Sequence, residues 1–267
     1  MPREIDAAPP PATHLATLAR MGYSFNAAIA DILDNSIAAE ASKIDLSLLN
    51  YGGEYRLSIA DNGFGMMDAD LLRNMVIGCK DPSTDRNAND LGRFGAGLKT
   101  ASFSQAKVLT VFSWTKTSPI VGARWDTELV KTRNKWTLLE LSDDEIAAEL
   151  DLLGRSDSMS GTLVCWNGIQ ALEGAEDRHG AERIAAALIS DLQSYIELHF
   201  HRFIGPQLEI TINGAQLQAL DPFMRNSLGY LEGQTENVRS KNGKIVIKAH
   251  NLPRPSSLNP DFLLLHG

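Results

Sequence analysis

The chain has no apolar run approaching the roughly eighteen residues that a membrane-crossing helix needs, so no transmembrane span is expected. Its N-terminus, MPREIDAAPPPATH, lacks the apolar stretch of a secretory signal and carries acids and prolines instead. Cysteine is scarce. Cys79 and Cys165 lie far apart with no metal-ligand spacing, a pattern of reduced thiols in a cytoplasm. There is also no excess of positive charge: the formal net charge is −8, which argues against a broad nucleic-acid-coating surface but leaves a local basic patch open. No internal repeat or low-complexity tract interrupts the sequence beyond Pro9-Pro10-Pro11.

What is present is an ordinary globular composition, 43% hydrophobic and 22% charged over 267 residues. That length suits one large domain, or one domain and part of another. Residues 1–12 read as a flexible arm. The segment FNAAIADILDNSIAAEA is a helix whose Phe25, Ile29, Leu33 and Ile37 form one stripe. KIDLSLLN (43–50) and EYRLSIAD (54–61) alternate as strands around the turn Tyr51-Gly52-Gly53. A short helix is predicted over 67–76. A long polar loop follows over 77–97, then a helix over 98–106. Further strands are predicted at 107–114, 119–126, 135–141, 161–167, 207–214 and 243–250, with helices at 142–153 and 181–203. Mostly neighbouring strands with intervening helices imply an α+β two-layer sandwich: one mixed, mostly antiparallel sheet with helices on one face. The tryptophans at 114, 125, 136 and 166 fall on predicted strands and read as sheet packing. His199 and His201 alternate rather than sit one helical turn apart, so they do not form a metal pair.

Four polar motifs stand out. On the first helix Asp31 and Asn35 are four residues apart and share a face with the small residues Ala27, Ala28 and Ala38. I59-A-D-N-G-F-G-M66 ends a strand on Asp61, with Gly63 and Gly65 letting the backbone bend closely around something flat. L91-G-R-F-G-A-G-L-K-T-A101 runs glycines into a helix N-terminus, which offers free N–H groups and a positive dipole end to phosphate. It is not a Walker A loop, since Leu98 separates Gly97 from Lys99 and no strand precedes it. No βαβ unit surrounds it either, which excludes a dinucleotide fingerprint. The fourth motif is S160-G-T-L-V-C-W166, a strand opening on Gly161-Thr162.

In this order the four motifs resemble those of the GHKL ATPases, the superfamily joining gyrase B, the heat-shock chaperone, histidine kinases and MutL on the Bergerat fold. The chain looks most like the MORC-like and chaperone-like members, and the resemblance covers about residues 20–215. It implies an ATP-binding domain over 13–215 using ATP and Mg²⁺. Asn35 would ligate Mg²⁺ through its amide oxygen. Asp61 would accept a hydrogen bond from the adenine amine, and a carboxylate there selects against guanine. Gly63, Gly65 and Met66 would border the base and Thr162 would complete its polar contacts. Asp34 would face the ribose or the neighbourhood of Asp61, and Ala38 lies beside the ligand. Residues 78–97 would be an ATP lid. Within and just after it, Gly92, Arg93, Phe94, Gly95, Ala96, Gly97 and Leu98 would cradle phosphate, with Lys80 or Lys99 as cation partners.

Asp31 departs from that family's pattern, which places Glu here as general base on the attacking water. Asp is one methylene shorter, and a misplacement of about 1 Å can cost on the order of a hundredfold. The resemblance therefore implies a slow ATP hydrolase. ATP would drive lid closure and homodimerisation to operate a clamp or switch on DNA or protein clients, away from any membrane. A non-hydrolysing sensor is the alternative. A histidine-kinase-like phosphotransferase would need an acceptor histidine ahead of the motifs, where only His14 stands. Residues 216–267 read as the entry to a transducer-like region, which would make this the N-terminal part of a longer protein.

Overall fold

A computed structural model describes residues 9–20, 23–78, 97–153, 158–175, 177–240 and 243–252. An eight-stranded sheet carries the fold. In chain order its strands are β1 (Lys43–Tyr51), β2 (Glu54–Asp61), β3 (Ala106–Thr115), β4 (Ser118–Asp126), β5 (Leu138–Glu140), β6 (Gly161–Ile169), β7 (Glu209–Ile212) and β8 (Ala215–Gln216). They lie side by side as β5-β4-β3-β6-β2-β1-β7-β8. Every pairing is antiparallel except β1 with β7. The mixed, mostly antiparallel α+β sandwich expected from the sequence is the fold observed.

The strands alternate as a sheet buried on one face should. Ile44, Leu46 and Leu48 of β1 and Leu57 and Ile59 of β2 enter the main core. That core is closed by helices α1 (Pro11–Ala19), α2 (Phe25–Ala38), α3 (Asp68–Met75), α4 (Gly97–Gln105), α5 (Thr127–Arg133) and α8 (Arg178–His199). α2 starts where the Ser24 hydroxyl accepts the Ala27 N–H at 3.2 Å, and it buries Phe25, Ala28, Ile29, Ile32 and Leu33. Burying each large side chain of that stripe contributes about 1.5–3 kcal/mol. The expectation of helices on one face alone is corrected by α6 (Asp143–Leu153), which packs on the opposite face because the strands there are apolar on both sides. There Ile146 packs on Phe112, Trp114, Leu163 and Cys165, while the alternate residues Leu109, Val111, Val164 and Trp166 of the same strands face the main core. Glu149 of α6 ties this layer down by bridging Arg56 at 3.2 Å and Arg124 at 2.7 Å.

Several elements differ from the sequence expectation for local reasons. α1 forms where an arm reaching residue 12 was expected, because proline fits the first turn of a helix and Leu15 is fully buried. α5 was missed; its cap is the Asp126 carboxylate, which accepts the N–H groups of Glu128 and Leu129 at 2.9 and 3.1 Å. Asp177 caps α8 through Gly180 at 2.6 Å and starts it three residues early. Trp136 lies ahead of β5, not on a strand; it is 40% exposed and set edge-on against Trp125 and His14. The four-residue α7 (Gln170–Glu173) was also not anticipated. Beyond β8, β9 (Leu231–Ser240) and β10 (Gly243–Asn251) form a separate two-stranded sheet, of which only β10 was expected. Among the described residues no helix is long and apolar enough to cross a membrane.

Candidate nucleotide-binding site

The polar motifs meet where the ends of β2, β3 and β6 approach α2 and the start of α4. On α2 the buried stripe leaves Asp31 and Asp34 half-buried, and Asn35 and Ala38 exposed. Ala28, expected on this open face, instead turns fully inward. Asn35 donates its side-chain N–H to the Asp31 carbonyl at 2.8 Å. The donor end of the amide is thus engaged by the helix, and its oxygen is the end left to face outward.

Burial pushes the Asp31 carboxyl up, and a hydrogen bond from the Tyr23 hydroxyl pulls it partly back. Tyr23 is itself pushed up, first by burial and then by the Asp31 charge. Nothing in the sequence pointed to Tyr23, which precedes the α2 cap and lies outside every motif. Gly97, the first residue of α4, comes so close that a Cβ there would lie 3.1 Å from Asp31 Oδ2. The positive end of α4 therefore stands against this carboxylate. Asp34 is pushed up by burial and by the charge of Asp31.

Asp61 ends β2 and is only 7% exposed. Its Oδ2 accepts the Ser36 hydroxyl and its Oδ1 the Gly63 N–H, both at 2.9 Å. Burial raises its pKa, opposed by those two donors and by the Thr162 backbone. Ser36, the next residue after Asn35, was not picked out from the sequence, although its spacing from Ile32 and Leu33 puts it on the buried side of α2. The sign of the Asp61 titration follows from the raised value. The folded state binds a proton more readily than the unfolded chain, so this group's contribution to stability is greatest below the ordinary carboxylate pKa and is lost as pH rises through the folded one. If Asp61 accepts from a bound base, as the sequence resemblance implies, ligand binding would run the other way, because a protonated Asp61 has lost an acceptor. The ATP-induced rise in Tm should therefore shrink on acidification at a pH above the ordinary aspartate range. A rise that stayed constant down to that range would show that Asp61 accepts nothing from the base.

The glycines were expected to give room to a flat ligand. What they demonstrably give is close packing of the protein on itself. A Cβ on Gly63 would meet the Ala39 carbonyl at 2.7 Å, and one on Gly161 would meet the Asp61 carbonyl at 2.1 Å. Gly65, at φ +69°, passes directly over the Trp114 carbonyl. Met66 is half-buried beside it. Thr162 pairs with Asp61 across β2 and β6, so the two side chains stand next to each other.

Lys99, a candidate cation for phosphate, is anchored at the end of α3. It is 2% exposed, and its ammonium donates to the carbonyls of Asn74 at 2.6 Å and Val76 at 3.0 Å, satisfying the C-terminal end of α3. Those carbonyls lie more than twenty residues upstream and leave no signature in a glycine-rich motif. Leu98 is half-buried against the core. Lys80, Gly92, Arg93, Phe94, Gly95 and Ala96 lie outside the described residues, as does Cys79; Cys165 is a free, buried thiol whose pKa burial pushes up. His199 stacks on Tyr195 and His201 contacts the Leu198 carbonyl at 2.6 Å.

A mixed sheet covered by helices, with an acid–amide pair and a strand-end aspartate beside glycine turns, defines a nucleotide-binding ATPase domain of the Bergerat type. The family described as histidine kinase-, DNA gyrase B-, and HSP90-like ATPase matches residues 23–162, and the chain belongs to it. It is 35% identical over 91 residues to Protein MICRORCHIDIA 7 of Arabidopsis thaliana, a stretch covering 32% of this chain and 13% of that protein. It is 29% identical over 82 residues to ATPase morc-1 of Caenorhabditis elegans, covering 31% of this chain and 9% of that one. The chain thus resembles these two proteins over about a third of its length and spans only a small part of each.

Proposed function

We propose that this domain binds ATP with Mg²⁺ and hydrolyses it slowly, and that nucleotide-driven pairing of two copies operates a clamp or switch on a DNA or protein client. The observation that supports the reading is that Asp61, at the end of β2, is bonded to Ser36 beside Asn35 on α2, while Gly97 at the start of α4 stands against Asp31.

Asp61 and Thr162 would receive the base, Asp61 taking a hydrogen bond from the exocyclic amine. The outward amide oxygen of Asn35 fits Mg²⁺, a hard ion that takes its other ligands from phosphate and water. When bound, the ion neutralises phosphate charge. The start of α4 at Gly97 would face phosphate. Asp31 would take the proton of the attacking water; its raised pKa makes it a better base than an ordinary aspartate, while its shorter side chain works against reach. That opposition is why slow turnover is the reading, and why a sensor that binds without hydrolysing stands second.

Incubation with γ-labelled ATP and Mg²⁺ separates these. Free labelled phosphate is the expected product. Labelled protein would indicate phosphotransfer instead, and retained ATP with neither product would leave the sensor.

A further inference from the structure

Ser113 lies on β3 with no exposed surface, and no sequence motif includes it. Its Oγ is 2.8 Å from the Met66 nitrogen, 3.0 Å from the Gly161 carbonyl oxygen and 3.1 Å from Thr162 Oγ1. A serine hydroxyl has one proton and two lone pairs. The Met66 N–H can only donate and the Gly161 carbonyl can only accept. All three contacts are hydrogen bonds in one arrangement alone: Ser113 accepts from Met66 and from Thr162, and donates to Gly161. If Ser113 donated to Thr162 instead, the Gly161 contact would set two oxygens together with no proton between them, which is costly in a buried site.

The single proton of Thr162 is directed to Ser113, so only lone pairs of its hydroxyl remain for any other partner. Asp61, its cross-strand neighbour, is an acceptor as well. We infer that Ser113 is a specificity-determining positioning residue: by holding the Thr162 proton, it makes the base-facing edge acceptor-only, so that the site takes a purine with a 6-amino group and rejects a 6-oxo purine. Ser113 never touches the base. The inference rests on the adenine reading of Asp61 and Thr162 given above.

Inosine triphosphate, which replaces the 6-amino donor by a carbonyl acceptor and turns N1 from an acceptor into an N–H donor, is the probe, and the groups facing position 6 are what it tests. Dissociation constants for ATP and inosine triphosphate would be measured by calorimetry on the wild type, S113A, T162V and the double variant. The wild type should prefer ATP. S113A frees the Thr162 hydroxyl to turn and donate outward, so the preference should narrow about three- to tenfold, the effect of one hydrogen bond. The narrowing should come mainly from tighter inosine triphosphate binding, whereas a structural defect would weaken both nucleotides together. In the T162V background S113A should change the ratio no further. S113C, close to serine in size but a weak hydrogen-bonding group, should narrow the ratio in the same direction and serves if S113A does not fold.

An unchanged ratio in S113A, an equal weakening of both ligands, or an equal effect with and without Thr162 would overturn the inference. Each of those outcomes would leave the adenine reading of Asp61 and Thr162 standing, because the wild type would still bind ATP. A wild type that binds neither nucleotide would overturn the adenine reading, and this inference with it.

Discussion

Asp31→Asn should bind ATP about as tightly as the wild type and lose turnover by about a hundredfold or more, the contribution of a positioned general base. The substitution keeps size and shape and removes only the capacity to take a proton. Asp31 is half-buried, and burial already opposes its charge. Neutralising it should therefore not lower Tm in the absence of nucleotide, and melts of the two proteins would check this. Nucleotide affinity should persist because the groups proposed to hold the base and metal, Asp61, Thr162 and Asn35, are separate side chains. The Asn35 bond to helix α2 is made to the Asp31 backbone carbonyl, which the substitution retains. Single-turnover phosphate release is the direct measurement. Residual turnover equal to wild type would remove Asp31 from the mechanism, and a parallel loss of ATP binding would place it in the binding set.

The second large effect is structural. Gly65→Ala would introduce a Cβ 1.8 Å from the Trp114 carbonyl oxygen and 3.0 Å from that of Gly161, at a backbone angle, φ +69°, that disfavours any side chain. Left-handed backbone alone costs about 1–2 kcal/mol for a non-glycine residue. The clash is with strand backbone, which cannot step aside, so the turn must lift off β3 and β6. A total loss of about 3 kcal/mol corresponds to a fall in Tm of about 6–12 °C in a domain of this size. ATP binding should fall with it, because the Met66 N–H would leave Ser113 and the turn after Asp61 would shift. Gly52→Ala provides the comparison: φ is similar at +65°, but no atom lies within 4 Å, so only the backbone cost applies. Equal effects at the two positions would show that close packing at Gly65 does not matter.

The main lines of the fold were legible because they rest on local periodicity. Period-two alternation over 43–61 gave β1 and β2 in register, and the apolar stripe of α2 left Asp31 and Asn35 on the other side. Capped or proline-started elements were harder. α1 and α5 have short apolar patterns, and their starts depend on Pro11 and on the Asp126 carboxylate rather than on a repeat. The face that α6 covers could not be read either, since the strands beneath it are apolar on both sides, with Val111 turned one way and Phe112 the other.

By itself the sequence determined the class of fold, the helix that presents Asp31 and Asn35, the strand that ends on Asp61, and the membership implied by four motifs in order. The tertiary structure decided what each polar group is bonded to. Lys99 is held by carbonyls 25 and 23 residues away, and Ser113 links partners 47 to 49 residues away. Tyr23 meets Asp31 only because α2 begins beside it. Periodicity reports which face of an element is apolar, since burial repeats with the geometry of the element itself. A hydrogen bond between distant segments repeats with nothing, so the proton directions around Ser113 exist only once the strands have been brought side by side.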